Sequence, residues 1–385
     1  VTPEAGDLPV LVFSAPETFG AAGMLAEAGA RQELVGLPKS FEPTGGELEV
    51  ELSPSLAAAL ISGLETYDDN LDSDMPVTLA SQLLPNVEIY NTLTSLGVDN
   101  PGLKASVDAA AHMGISGLVR MQNSDGGWGW AEGSDSQAYL CGYIYLALSR
   151  AQQAGYAVPE SVITSAHAYL HQQMAEMPTR EAWEQDRFVL INWALEESRA
   201  PSRMTVELAE AWRPNLSPWS KALLAVMMQD TDSELSGLLL QDLRDATVRT
   251  ATGAHWEDTH NARWNNASTS FTTAVVTYAL ARLDPASPLL VDAVRYLAST
   301  RSSSGAWYSP YDTAWVLIAL SEALKGTGDV QGDYAFSAAL NGAMLAEGQA
   351  QGENAFNPVV TQAPLSRMNP DALNPLVIQR GEGSG

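Results

Sequence analysis

Lysine is scarce: four, Lys39, Lys104, Lys221 and Lys325, occur in 385 residues, and 20 basic residues in all face 46 acidic ones. The formal net charge is −26 although only 17% of the residues are charged, so the imbalance comes from a shortage of bases. A chain of this kind cannot find a phosphate backbone by releasing counterions, and nucleic acid is excluded as a partner. An anionic membrane surface is disfavoured on the same ground. Cysteine is nearly absent, and the single Cys141 leaves no internal disulfide and no cysteine-based zinc site. Long apolar runs are missing too. Ala138 to Ser149, the longest nearly charge-free stretch, is too short to cross a bilayer. No basic segment followed by an apolar core opens the chain, so no signal peptide is legible. What is present, 45% apolar residues and ten tryptophans, argues for a folded protein.

The chain begins and ends in β character. Leu48, Val50 and Leu52 alternate with Glu47, Glu49 and Glu51, which predicts a half-buried strand after the turn signal Thr44-Gly45-Gly46. Leu8 to Phe13 predicts another strand, weakened by Pro9. Ser53 as N-cap and Pro54 at the first helical position then open a helix carrying Leu56, Leu60, Leu64 and Tyr67 on one stripe. From there to Lys325 the 3.6 period predicts about eleven or twelve helices. They are separated at Pro85-Asn86, Asp99 to Gly102, Gly155 to Pro159, Pro201-Ser202, Pro214 to Pro218 and Asp284-Pro285. After Gly328 the period returns to two through Tyr334, Phe336, Ala338 and Leu340, with Asn341-Gly342 as a hairpin turn and Leu376 to Ile378 as a last strand.

A weak repeat runs through the helices. Gly127-Trp128 leads into Tyr143 to Leu148, Gly305-Ala306-Trp307 leads into Thr313 to Leu320, and Thr273 to Leu280 is a third helix of the same kind. Recurring helix pairs predict an open solenoid or a closed α/α toroid with an Ala-rich inner ring. Neither β segment can cover a sheet alone, so a β-sandwich split by the helices is the simplest arrangement. The expected fold is mainly α: an α/α toroid of about six helix hairpins over residues 54–328, inserted into a β-sandwich contributed by residues 1–53 and 329–385.

Candidate chemistry is thin. In Gln122 to Trp130 the glycines permit close backbone approach, and Trp128 and Trp130 read as wedges between helices, with an aromatic ligand platform as the alternative. Asp68-Asp69-Asn70-Leu71-Asp72 matches a D-D-x-x-D magnesium-diphosphate string but sits in a polar loop with no basic cluster. His255, Glu257, Asp258 and His260 could face a metal, yet polar turn contacts are the plainer reading. His167 and His171 stand four apart, but Ala168 replaces the glutamate of H-E-x-x-H, and a solvated helix face is expected. No nucleophile elbow, P-loop or dinucleotide fingerprint occurs, so no catalytic residue, metal or cofactor is assigned.

Two resemblances follow from these residues. Gln122-Asn123-Ser124-Asp125-Gly126-Gly127-Trp128 resembles the Q-x-x-D-G-G-W repeat of terpenoid cyclases, which are α/α toroids, although their D-x-D-D acid motif is absent. A wider ordered series resembles the thioester domain of bacterial alpha-2-macroglobulins and its flanking CUB-like β segments. The series is Leu48 to Leu56, Asp125 to Trp130 with Ser136 to Tyr143, Gly253 to Asp258, Thr272 to Ala274, Leu283 to Leu290, Trp307 to Trp315 and Leu340 to Gly342. In that likeness Met75-Pro76-Val77-Thr78 stands where thioester-bearing members have C-x-E-Q, and Asp74 would be a plain N-cap. A methionine thioether and a threonine hydroxyl cannot make the Cys–Gln thioester. The resemblance therefore implies a thioester-less fragment of an exported, often lipid-anchored protease inhibitor. Its partners would be neighbouring macroglobulin domains and target proteases, trapping would be non-covalent, and any membrane link would lie in an anchor outside the fragment. The alternatives are a terpenoid-cyclase-like or prenyltransferase-like enzyme, or a glycan- or peptide-binding toroid.

Overall fold

A computed structural model describes residues 22–25, 27–37, 39, 45–69, 75–258, 265, 267–302, 305–327 and 332–383. The chain is 55% helical. Twelve helices are described: α1 (Leu56–Asp69), α2 (Pro76–Ser95), α3 (Pro101–Arg120), α4 (Ala138–Gln153), α5 (Glu160–Glu176), α6 (Ala182–Glu197), α7 (Val206–Trp212), α8 (Pro218–Met228), α9 (Ser233–Asp245), α10 (Thr269–Leu283), α11 (Pro288–Ser299) and α12 (Pro310–Thr327). The strands are β1 (Gly29–Val35), β2 (Glu47–Leu52), β3 (Val248–Thr250), β4 (Gly253–His255), β5 (Tyr334–Leu340), β6 (Ala343–Ala350), β7 (Val359–Pro364) and β8 (Asn374–Arg380).

The even-numbered helices are apolar on nearly every face. Residues 140 to 149 of α4 and 271 to 281 of α10 are continuously buried, and so are 184 to 195 of α6 apart from the half-buried Arg187. A helix without a polar face must be enclosed by other helices, and these are: α2 packs on α4, α4 on α6, α6 on α8, α8 on α10, α10 on α12, and α12 returns to α2. The odd-numbered α3, α5, α9 and α11 bury one stripe each and pack outside their neighbours. Five of the six even helices send aromatic side chains inward to one cluster. Tyr143 meets Tyr311 at 4.8 Å, Trp315 meets Trp193 at 5.4 Å, and Phe271 meets Trp219 at 5.4 Å between ring centroids. The centre is thus filled by rings.

The two ends of the chain meet in the β structure. β1 pairs antiparallel with β8, and β8 with β5, which pairs with β6, in a four-stranded sheet; β2 pairs with β7 in a second. Val50 and Leu52 of the small sheet share one apolar cluster with Ala338, Leu340, Ala346 and Leu376 of the large one. Asn341 and Gly342 both take positive φ (52° and 80°), as a two-residue hairpin turn between β5 and β6 requires. The β structure touches the helices through Tyr334, whose hydroxyl donates to Pro54 O, and Ser55, whose hydroxyl donates to Ala355 O at 2.5 Å.

Several local expectations are corrected. Ser55, not Ser53, caps α1: its Oγ accepts from Ala58 N at 3.1 Å, while Ser53 Oγ turns to Glu51. Pro85 is no boundary but lies buried inside α2, and Asn86 Nδ2 donates to Gln82 O at 3.0 Å beside the interruption. Asp68 and Asp69 close α1 instead of opening a loop. The proposed strand Leu8 to Phe13, Thr44, and Asn70 to Asp74 lie outside the described residues.

Candidate functional site

The first turns of the even helices converge on one rim. Tyr139 OH of α4 lies 3.3 Å from Tyr311 OH of α12, and Tyr143 OH donates to Ser81 Oγ of α2 at 3.2 Å. Arg187 Nε of α6 donates at 2.9 Å to Asn265 Oδ1, just before α10. Two acids tie neighbouring starts together: Asp186 of α6 accepts from Ser217 N, the cap of α8, at 3.0 Å, and Asp312 of α12 accepts from the hydroxyl of Ser268, the cap of α10. Asp186 is fully buried, and burial together with the nearby Asp258 carboxylate pushes its carboxyl up to about 7, against the pull of the Ser217 amide. Asp312 is also raised, chiefly by burial.

Met75 to Thr78 sits on this rim at the start of α2. Met75, not Asp74, holds the cap position with extended backbone and makes no side-chain capping bond. Its carbonyl accepts from Thr78 N at 3.0 Å and Leu79 N at 3.1 Å. Met75 is 46% exposed, Pro76 is buried, Val77 half-buried and Thr78 buried. A thioether has no proton to lose, and a threonine side chain carries no acyl carbon. Cys141 offers no substitute nucleophile, because burial pushes its thiol up to about 12 and thiolate chemistry needs a lower value.

The loops leading to α4, α10 and α12 each carry a buried tryptophan used in the same way. The indole N–H of Trp128 donates to Leu118 O at 2.8 Å, that of Trp256 to Leu243 O at 2.6 Å, and that of Trp307 to Leu297 O at 2.9 Å. Each pins the end of an outer helix to the start of the following inner one. Gly126 in the first loop has φ of 91°, and a Cβ there would lie 2.4 Å from Ser165 O, so the loop seats against α5 only with glycine. Trp130, by contrast, is 46% exposed. His255 is buried with its ring stacked on Tyr296 at 4.5 Å, and Glu257 Oε1 lies 3.5 Å from its Nε2. His260 is outside the described residues. Among the described residues no three His, Cys, Asp or Glu stand together as a metal site.

At the opposite ends of the inner helices lies a charged cluster that sequence reading missed. Glu197 of α6 accepts from Arg150 of α4 and, at 2.6 Å, from Arg282 Nη1 of α10; Arg150 Nε lies 3.3 Å from Glu88 of α2. Lys325 pairs with Glu322 at 2.9 Å beside them. These groups rim a cavity of about 180 Å³ floored by Leu84, Leu146, Trp193 and Ile318. That is too small and too polar for a polyprenyl chain. No sequence signal marks the cluster, because its members come from four or more helices far apart in the chain.

No protein-family model and no curated protein matches the chain. Solved structures do. Salmonella alpha-2-macroglobulin reacted with methylamine superimposes with a TM-score of 0.64 and 17% identity over 98% of this chain and 25% of that one. The native conformation of Escherichia coli alpha-2-macroglobulin gives 0.60 and 16% over 98% and 24%. A crystal structure of the E. coli protein from domain MG7 to the C-terminus gives 0.59 and 17% over 95% and 58%. The chain spans about a quarter of the length of the first two. This chain therefore has the fold of the thioester-domain region of bacterial alpha-2-macroglobulins.

Proposed function

We propose that the chain is a structural module of an alpha-2-macroglobulin-like protease inhibitor that traps its target without a covalent bond. The observation that carries this is the pairing of a fold shared over 98% of the chain with Met75 and Thr78 at the start of α2, where a thioester would need Cys and Gln. The first neighbour's structure was reacted with methylamine, a small amine nucleophile; here those positions hold nothing for an amine to open.

In this reading residues 54–328 form an α/α toroid, supported by the closed order in which the even helices pack. Residues 1–53 and 329–385 form the halves of a CUB-like β-sandwich, supported by the pairing of β1 with β8 and β2 with β7. The module carries no turnover of its own. It packs on neighbouring macroglobulin domains of an exported parent chain, and any lipid anchor lies outside these residues. No helix among the described residues is long and apolar enough to cross a membrane. The cyclase alternative needs a deep apolar cavity where the aromatic cluster sits.

The test mixes the parent protein with an active protease and separates the products twice. Protease retained on a native gel and fully released on a denaturing gel is the expected result. A denaturation-resistant adduct to this region contradicts non-covalent trapping, and no retention on the native gel contradicts inhibition itself.

A further inference from the structure

We propose that the cavity at the far ends of the inner helices is a binding site for a free apolar α-amino acid, held by its zwitterionic head and its side chain together. The reading is independent of protease trapping.

Charge alternates around this cavity. In the order in which the inner helices pack, α2 brings Glu88, α4 Arg150, α6 Glu197, α10 Arg282, and α12 both Glu322 and Lys325. Three carboxylates and three cations make a neutral lining in a chain whose net charge is −26. A lone anion or a lone cation meets as much repulsion as attraction there, whereas a ligand that carries both signs matches it.

The network leaves part of its hydrogen-bonding capacity unspent. Glu197 uses both carboxylate oxygens, one on Arg150 and one on Arg282. Arg282 spends Nη1 on Glu197 and on Tyr278 OH, so its Nε and Nη2 have no partner among the described residues. Glu322 accepts from Lys325 through Oε2 and Glu88 meets Arg150 through Oε1, and the second oxygen of each accepts no hydrogen bond among the described residues. The Arg282, Glu88 and Glu322 side chains are all partly exposed, so a ligand reaches them from solvent. The unspent donors stand on α10, and the unspent acceptors stand on α2 and α12. An α-amino acid carries the complement: a carboxylate for the guanidinium fork and an ammonium for the two glutamates.

Size and lining select the side chain. Leu84, Leu146, Trp193 and Ile318 give the cavity an apolar floor, and its volume is about 180 Å³. A sealed apolar cavity of about 150 Å³ holds a benzene. The cavity here therefore takes an aliphatic side chain of leucine or methionine size, with the charged head left at the mouth. A ligand so placed ties α2, α10 and α12 together and stabilises the folded chain by mass action.

Isothermal titration calorimetry of the whole chain uses three probes that share one branched apolar body: L-leucine, 4-methylpentanoate, which lacks the ammonium, and 3-methylbutylamine, which lacks the carboxylate. The expected result is one saturable site for L-leucine, with affinity about tenfold or more above that of either single-charge probe. Arg282→Gln and Glu322→Gln each weaken L-leucine about tenfold. Arg120→Gln, which removes an exposed cation of α3 paired with Glu132, leaves binding unchanged. Glu322 pairs only with Lys325 of its own helix, so Glu322→Gln keeps the fold, which circular dichroism verifies, and the test stands even where Arg282→Gln does not fold. 4-Methylpentanoate bound as tightly as L-leucine would make the cavity a simple anion trap and overturn the proposal. Absence of saturable L-leucine binding in the millimolar range, or an affinity untouched in Glu322→Gln, also overturns it.

Discussion

The backbone N–H of Trp128 donates to Cys141 Sγ at 3.0 Å, and the same bond runs from Trp256 to Thr273 Oγ1 at 3.2 Å and from Trp307 to Thr313 Oγ1 at 3.0 Å. The lone cysteine thus stands where the other two repeats place a threonine. It serves as a hydrogen-bond acceptor in the first turns of an inner helix.

Cys141→Thr should therefore keep the stability of the chain to within about 1 kcal/mol. Cys141→Val, close in shape but unable to accept, leaves the Trp128 amide buried without a partner and should cost about 1–3 kcal/mol. Urea unfolding of both variants checks the order. Equal losses would mean that Sγ acts only as apolar filling.

Asp186 makes stability depend on pH. Its carboxyl is raised from 3.8 to about 7 in the folded chain, so between those values the native state holds a proton that the unfolded state has released. Stability then falls as pH rises from about 4 to about 7 and loses no more above that. Asp186→Asn keeps an oxygen for Ser217 N and has nothing to ionise. Its advantage over wild type should grow through this window to a few kcal/mol, on the order of 1.4 kcal/mol per pH unit. Denaturant unfolding at intervals from pH 4 to pH 8 reads this, and parallel curves for the two proteins would refute it.

Glu197 joins Arg150 and Arg282 across three inner helices with its side chain only 12% exposed. Glu197→Gln leaves two partly buried guanidinium groups facing each other without their shared anion and should destabilise by about 1–3 kcal/mol. Adding salt to about 1 M, where charges are screened within about 3 Å, should narrow the difference. A salt-independent loss in thermal or urea unfolding would assign the effect to packing instead.

What the sequence disclosed and what it hid have separate physical causes. The strand Leu48 to Leu52, the helical periods and the Gly-Trp loops could be read because each is a local pattern with its own period or turn chemistry. The start of α1 could not: Ser53 and Ser55 are equally good caps, and a contact to Ala355, 300 residues away, accompanies the cap at Ser55. Pro85 misled for a similar reason, since tertiary enclosure of α2 outweighs the bond a proline removes. The Asp186 and Glu197 clusters exist only once the even helices lie side by side. The reading of Met75 and Thr78 as a lost thioester is a proposal that rests on which atoms those side chains lack.

The absence of a thioester is the central claim, and treatment of the folded protein with methylamine followed by peptide mass spectrometry tests it most directly. The account predicts that the peptide containing Met75 to Thr78 keeps its unmodified mass and that no thiol is released. A methylamine adduct within that peptide, or a thiol appearing on treatment, would contradict it.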